Sequence, residues 1–175
     1  MTDELSELER MIRDVPDFPK PGIIFKDIMP MLADGPAFKS VVDQLAAIAS
    51  PWKPDLVLGA EARGFMFGAP LAYALGAGFV AARKPGKLPY TTVSAKYALE
   101  YGFDALEVHI DAIRPGQRVL ICDDLLATGG TAKAKIELVE RLGGVVAGLV
   151  FAIELDFLNG RANVGDHQMA SLIHY

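Results

Sequence analysis

Cysteine is nearly missing from this 175-residue chain, with Cys122 the one example. A single thiol excludes an internal disulfide and fits a reducing, cytoplasmic setting. Cys122 closes the apolar run Val119-Leu120-Ile121-Cys122, where it reads as a small core residue before it reads as a nucleophile. Basic excess is missing too. The 17 Lys and Arg face 22 Asp and Glu, a formal net charge of -5, so nucleic acid and anionic membrane are poor partners. The first residues, Met-Thr-Asp-Glu-Leu-Ser-Glu, lack the charged-then-apolar layout of a signal peptide. One stretch, Gly64 to Ala82, is uncharged for 19 residues, nominally enough to cross a bilayer. It holds Pro70, Gly64, Gly68, Gly76 and Gly78, and much of the rest is alanine. Such weak summed apolarity fits a buried helix, a glycine turn and a buried strand better than a membrane span. Two phosphate-binding patterns also fail. Gly59 and Gly64 have P-loop spacing, but Phe65 follows where a lysine is needed. Gly76-Ala77-Gly78-Phe79-Val80-Ala81 loosely matches a dinucleotide fingerprint, but Lys84-Pro85 lies beyond it in place of a helix.

What is present is a globular composition, 51% hydrophobic and 22% charged, of a length that fits one domain with a sizeable core. Helical periods run over Glu4–Val15, Pro36–Ser50, Gly64–Leu75 and Gly130–Leu142. Asp14 to Pro30 is proline-rich and is expected to be extended. Short apolar runs at Asp55–Leu58, Gly78–Ala82, Arg118–Cys122 and Val145–Ile153 read as strands, and Leu106, Val108 and Ile110 alternate as in another. Wholly apolar strands alternating with helices predict an α/β fold, with a parallel sheet covered on both faces and ligands beyond the strands' carboxyl ends. Arg83 to Gly102 keeps no apolar period and reads as one long loop, of a length that is usually functional.

The chemistry concentrates in Val119-Leu120-Ile121-Cys122-Asp123-Asp124-Leu125-Leu126-Ala127-Thr128-Gly129-Gly130-Thr131-Ala132. A buried strand ends in two carboxylates, and a turn of small and hydroxyl residues leads into a helix. Ala127, Gly129 and Gly130 let backbone approach a ligand. Thr128, Thr131 and the free N–H groups of the helix start supply donors for a phosphate. Paired carboxylates beside a phosphate would repel it. They make sense as acceptors for neutral hydroxyls of the same ligand, such as a ribose 2′,3′ pair. A plain helix cap with acidic neighbours is the competing reading.

This segment resembles the PRPP-binding motif of the type I phosphoribosyltransferases, where PRPP is 5-phosphoribosyl-1-pyrophosphate. Four further pieces resemble the adenine-specific branch of that family. They are Phe18-Pro19-Lys20-Pro21-Gly22-Ile23-Ile24-Phe25-Lys26-Asp27-Ile28, Glu61-Ala62-Arg63-Gly64-Phe65, Arg83-Lys84-Pro85-Gly86-Lys87-Leu88-Pro89 and Tyr97-Ala98-Leu99-Glu100-Tyr101-Gly102. A weaker match runs from Glu154-Leu155 to Gly160-Arg161. The pieces keep family order from about Phe18 to Arg161. Ala60 stands where an Ile is frequent. Lys26 stands where an Arg is frequent, keeping the charge and losing the planar fork.

The resemblance implies the type I fold: a mainly parallel sheet flanked by helices, with a small hood from about residues 1–34 and 154–175 and a catalytic lid over 83–102. It implies transfer of the 5-phosphoribosyl group from PRPP to adenine, giving AMP and pyrophosphate, in a cytoplasmic homodimer. Mg²⁺ would be held mainly by PRPP and water. Asp123 and Asp124 would hold the ribose hydroxyls, and Ala127, Thr128, Gly129, Gly130 and Thr131 the 5′-phosphate. Arg63, Arg83, Lys84 and Lys87 would meet the pyrophosphate, although a solvated basic turn explains the last three equally from charge alone. Glu100 would be the general base. Ile24, Phe25, Lys26 and Leu125 would bind adenine, with the Phe25 ring stacked on the purine and backbone groups beside it reading the base edge; a core phenylalanine is the alternative. His109, His167 and His174 have no metal-ligand spacing. An enzyme preferring an oxopurine, or a PRPP-sensing regulator without catalysis, are the competing functions; a regulator would want a basic face, which the charge balance does not provide.

Overall fold

A computed structural model describes residues 2–98 and 103–175. The chain runs α1 (Thr2–Arg10), β1 (Arg13–Pro16), β2 (Ile24–Asp27), α2 (Met29–Ala33), α3 (Gly35–Ala49), β3 (Leu56–Ala60), α4 (Arg63–Leu75) and β4 (Gly78–Ala82). It continues with β5 (Thr92–Ala98), β6 (Phe103–His109), β7 (Arg118–Leu126), α5 (Gly130–Arg141), β8 (Val145–Glu154) and β9 (Met169–His174). Five strands form a wholly parallel central sheet in the order β4-β3-β7-β8-β9.

Alternation along the strands sorts the core into two layers. Leu120, Cys122 and Val150 face one layer, filled by Leu8, Met31, Leu45 and Phe67 from α1 to α4. Val119, Ile121 and Leu149 face the other, filled by Leu106, Val108, Ile136 and Val139 from β6 and α5. Burial on both faces explains the near-continuous apolar strands. Local signals set the helix ends. The Asp34 carboxylate accepts the Ala37 N–H at 2.9 Å at the start of α3, and Gly76 ends α4 with φ of +65°. Among the described residues no helix is long and apolar enough to cross a membrane.

The sequence reading needs four corrections. The first helix stops at Arg10, because residues 13–16 pair antiparallel with 24–27. The loop expected over 83–102 is a loop only to residue 91, since Thr92–Ala98 pairs with Phe103–His109 as a hairpin. The strand expected to end at Cys122 continues through both aspartates to Leu126, held along β8. A C-terminal strand, Met169–His174, extends the sheet and was not expected.

Candidate active site

The sheet's carboxyl edge opens into a cavity of about 270 Å³. Its walls come from the turn after β3 (Ala60 to Arg63), the end of β7 and the 127–131 loop that starts α5, together with Lys84 and Tyr97. Gly129 takes the left-handed conformation, φ +83°, which lets the loop turn into α5. The loop is braced from outside. The Asn163 side chain donates to the Thr128 carbonyl at 2.7 Å, and a Cβ on Gly160 would lie 2.1 Å from the Ala127 carbonyl oxygen. Gly64 opens α4 against the same floor, where a Cβ would meet an Asp123 carboxylate oxygen at 2.6 Å.

Each buried aspartate faces one cation. Lys135 Nζ reaches Asp123 Oδ2 at 2.5 Å from beneath, its side chain fully buried on α5. Asp123 Oδ1 accepts the Asp124 N–H at 3.1 Å. Arg63 Nε lies 3.0 Å from Asp124 Oδ2 as an ion contact, yet that buried oxygen has no aligned hydrogen-bond donor among the described residues. Such an orphaned acceptor is expensive unless a ligand or water completes it. Burial and the charge of Asp123 push the Asp124 carboxyl up to about 7, against the opposing pull of Arg63. The neighbouring Cys122 thiol is fully buried and pushed upward, which leaves it inert.

The basic turn is organised by Glu61. One of its oxygens takes the Arg83 guanidinium (Nη2 at 2.7 Å) and the other the Lys84 N–H at 2.8 Å. That amide, with Arg83 in support, holds the Glu61 carboxyl below its usual range. Arg83 also donates to the Lys87 carbonyl at 3.0 Å. Lys84 lies 3.0 Å from Asp104 Oδ2, and the Tyr97 hydroxyl donates to the same oxygen at 3.3 Å.

The expected residues therefore sort into groups. Arg63, Lys84, Asp123, Asp124, Leu125, Ala127, Thr128, Gly129, Gly130 and Thr131 share the cavity. Arg83 and Lys87 do not line it, because the Arg83 side chain is committed to Glu61. The side chains of Ile24, Phe25 and Lys26 do not face one way, since strand alternation sends them to opposite sides. Phe25 lies under Arg63, with the guanidinium 4.9 Å from its ring centroid. Ile24 and Lys26 instead line a second, more apolar cavity of about 400 Å³ with Leu155, Leu158 and Tyr175. Lys26 pairs with Asp14 at 2.7 Å and sits 3.6 Å from the Tyr175 ring centre, which ties β2 to the chain's end. Glu100 lies outside the described residues.

Three residues went unforeseen. Lys135 occupies the inward stripe of α5, spaced with Ala132 and Val139 where an apolar side chain belongs, and that misfit was its signal. Asn163 and Glu154 act across the fold: nothing local marks Asn163, and Glu154 enters the sequence reading only as the start of the weaker family match, with no role. Glu154, Asp156 and His174 bring ligand atoms within 4.8 Å of one another despite their distant positions. They do not form a cation site, because Arg161 already forks onto Glu154 at 2.6 and 2.7 Å and the Ser171 hydroxyl donates to it at 2.6 Å.

Comparison with known proteins agrees with this geometry. Residues 30–162 match the profile of the phosphoribosyl transferase domain family. An adenine phosphoribosyltransferase of Brevibacillus brevis is 56% identical over 169 residues, covering 97% of this chain and 99% of the relative. The crystal structure of an adenine phosphoribosyltransferase from Thermoanaerobacter pseudethanolicus is 56% identical, with a TM-score of 0.96 over 98% of this chain and 99% of that one. The Saccharomyces cerevisiae adenine phosphoribosyltransferase, complexed with an imino-altritol bisphosphate and adenine, is 40% identical, with a TM-score of 0.92 over 98% and 99% of the two chains. The chain belongs to the phosphoribosyltransferase family and, within it, to the adenine phosphoribosyltransferases.

Proposed function

We infer that this chain transfers the 5-phosphoribosyl group of PRPP to adenine, releasing AMP and pyrophosphate, and so serves purine salvage. One observation carries the reading: a glycine-bearing loop at a helix start shares a cavity with two buried aspartates, one of which keeps an oxygen with no aligned hydrogen-bond donor among the described residues. That combination suits a ligand with a phosphate at one end and vicinal hydroxyls beside it.

In this reading Thr128, Thr131 and the N–H groups opening α5 take the 5′-phosphate. Asp124 Oδ2 accepts a ribose hydroxyl. Arg63 releases its hold on Asp124 to meet the pyrophosphate, joined by Lys84, while Arg83 and Lys87 shape the turn that presents Lys84. Breaking the C1–O bond builds oxocarbenium character on the ribose and negative charge on the leaving pyrophosphate, which these cations offset. The cavity's carboxylates are all engaged, Glu61 by Arg83, Asp123 by Lys135 and Asp124 by Arg63. This set suits Mg²⁺ carried on the diphosphate with water, where it neutralises leaving-group charge.

Adenine lies between the Phe25 ring and Leu125, beside Arg63, which covers Phe25 and lines the cavity with Leu125. Backbone groups beside Phe25 read its edge, and a wrong base leaves them unpaired. Glu100 takes the adenine proton. In sequence it falls three residues after Tyr97, which lines the cavity. The hood is drawn from residues 1–34 and 154–175, apart from Met169–His174, which belong to the central sheet. A second copy packs on the β4 edge, where Met66, Phe79 and the 90% exposed Tyr73 stand uncovered. The enzyme works in the cytoplasm.

A competition assay among adenine, hypoxanthine, guanine and xanthine, with PRPP and Mg²⁺, tests the base assignment. Turnover confined to adenine supports it. An oxopurine consumed in preference would keep the PRPP site and overturn the base reading.

A further inference from the structure

Lys135 is the largest charged side chain with no exposed surface in the protein's described part, and the reaction as outlined does not use it. A buried lysine costs free energy that an apolar residue at the same helical position would not. Its ammonium lies 2.5 Å from Asp123 Oδ2, and unlike Asp123 the lysine does not line the cavity. Arg63, which lines the cavity, reaches the other carboxylate, and its side chain is 30% exposed. The two pairs are thus unlike: the cation of one has no exposed surface, and the cation of the other lines the cavity.

We propose that Lys135 is a positioning residue for the ribose-binding pair. It fixes one oxygen of Asp123 from inside and offsets that carboxylate's charge against an incoming polyanion, so that Asp124 is the member that exchanges Arg63 for a ligand hydroxyl. This rests on assigning Asp123 and Asp124 to the ribose. It also resolves why two adjacent carboxylates can floor a cavity for a substrate carrying phosphate and diphosphate. The groups facing the pair are Arg63 from α4, Tyr97 from β5, the Cys122 thiol of β7 and Lys135 from α5, with Glu61 and Lys84 lining the same cavity. Arg63 and Lys135 are the cations in contact with the pair, and both pull the Asp124 carboxyl down from where burial and Asp123 place it. Removing Lys135 therefore makes Asp124 harder to ionise.

The test is Lys135→Met, which keeps length and removes charge. Its KM for PRPP is expected to rise by about tenfold with KM for adenine little changed. The acid limb of kcat/KM for PRPP is expected to move to higher pH. Lys135→Arg should recover the limb. A lysine that only fills the core would lower the melting temperature and leave both the limb and the PRPP-to-adenine split where they were; that result overturns the proposal. Asp124→Asn separates the two levels of the argument. If it leaves PRPP binding intact, the ribose assignment itself fails. If it weakens PRPP strongly while folded Lys135→Met does not, only the role of Lys135 fails. Should Lys135→Met not fold, the crystal structure of the unaltered protein with AMP decides. The Lys135–Asp123 contact persisting while Arg63 leaves Asp124 supports the proposal, and Asp123 leaving Lys135 contradicts it.

Discussion

Gly160 and Ala127 meet backbone to backbone, so closely that a Cβ on Gly160 would sit 2.1 Å from the Ala127 carbonyl oxygen. The floor of the phosphate loop is therefore shaped by a segment that lies more than thirty residues downstream. Gly160→Ala must push the loop into the cavity. Displacing a binding group by about 1 Å can cost on the order of 100-fold in rate. PRPP-dependent turnover is expected to fall by about tenfold or more, with adenine binding retained. Steady-state kinetics with each substrate varied in turn checks this.

Asn163 braces the same loop through one hydrogen bond to the Thr128 carbonyl. A neutral hydrogen bond is worth about 1 kcal/mol, or roughly fivefold in binding. Asn163→Ala is expected to weaken AMP by about that factor and to leave adenosine, which lacks the phosphate, unaffected. Calorimetric titration with both ligands compares them directly.

How far the molecule was legible in its sequence follows from where each signal is stored. The sheet strands and their helices were readable because burial on both faces writes an apolar run, and α5 begins at the same glycine turn that marks the loop. Asp123 and Asp124 were found as a pair beside that turn, but their place within β7 was not, because strand pairing to β8 overrides the polar stop. Thr92–Ala98 was missed because Val93, Ala95 and Tyr97 alternate too weakly to stand out beside lysine and serine. The division between Phe25 and its neighbours Ile24 and Lys26 is a consequence of strand geometry, invisible while the segment was read simply as extended. The bracing of Ala127 by Gly160 is long-range contact, which no local pattern records.

Glu154 links the chain's last segments and should govern acid stability. Burial alone would raise its carboxyl, but the Arg161 fork and the Ser171 hydroxyl hold it below the usual range. A carboxyl lowered in the folded state contributes stability above its ordinary range and loses it as pH falls through that range. Arg161→Ala is expected to cost about 1–3 kcal/mol at neutral pH, toward the low end because the Arg161 side chain is 46% exposed. Its melting temperature should also depend less on pH in the acid range than that of the unaltered protein. Thermal unfolding across that range measures both effects.

Glu100 is assigned to the proton on adenine, and a positioned base of this kind contributes roughly 10²–10⁴-fold. Glu100→Ala should lower kcat by about that factor while PRPP binds nearly as before. A turnover rate near that of the unaltered protein would remove Glu100 from the mechanism.

The most direct measurement is product analysis after mixing the protein with PRPP, Mg²⁺ and adenine. AMP and pyrophosphate should form together in equal amounts, and both should disappear in Asp124→Asn. Pyrophosphate released without AMP, or no product despite bound PRPP, would contradict the account.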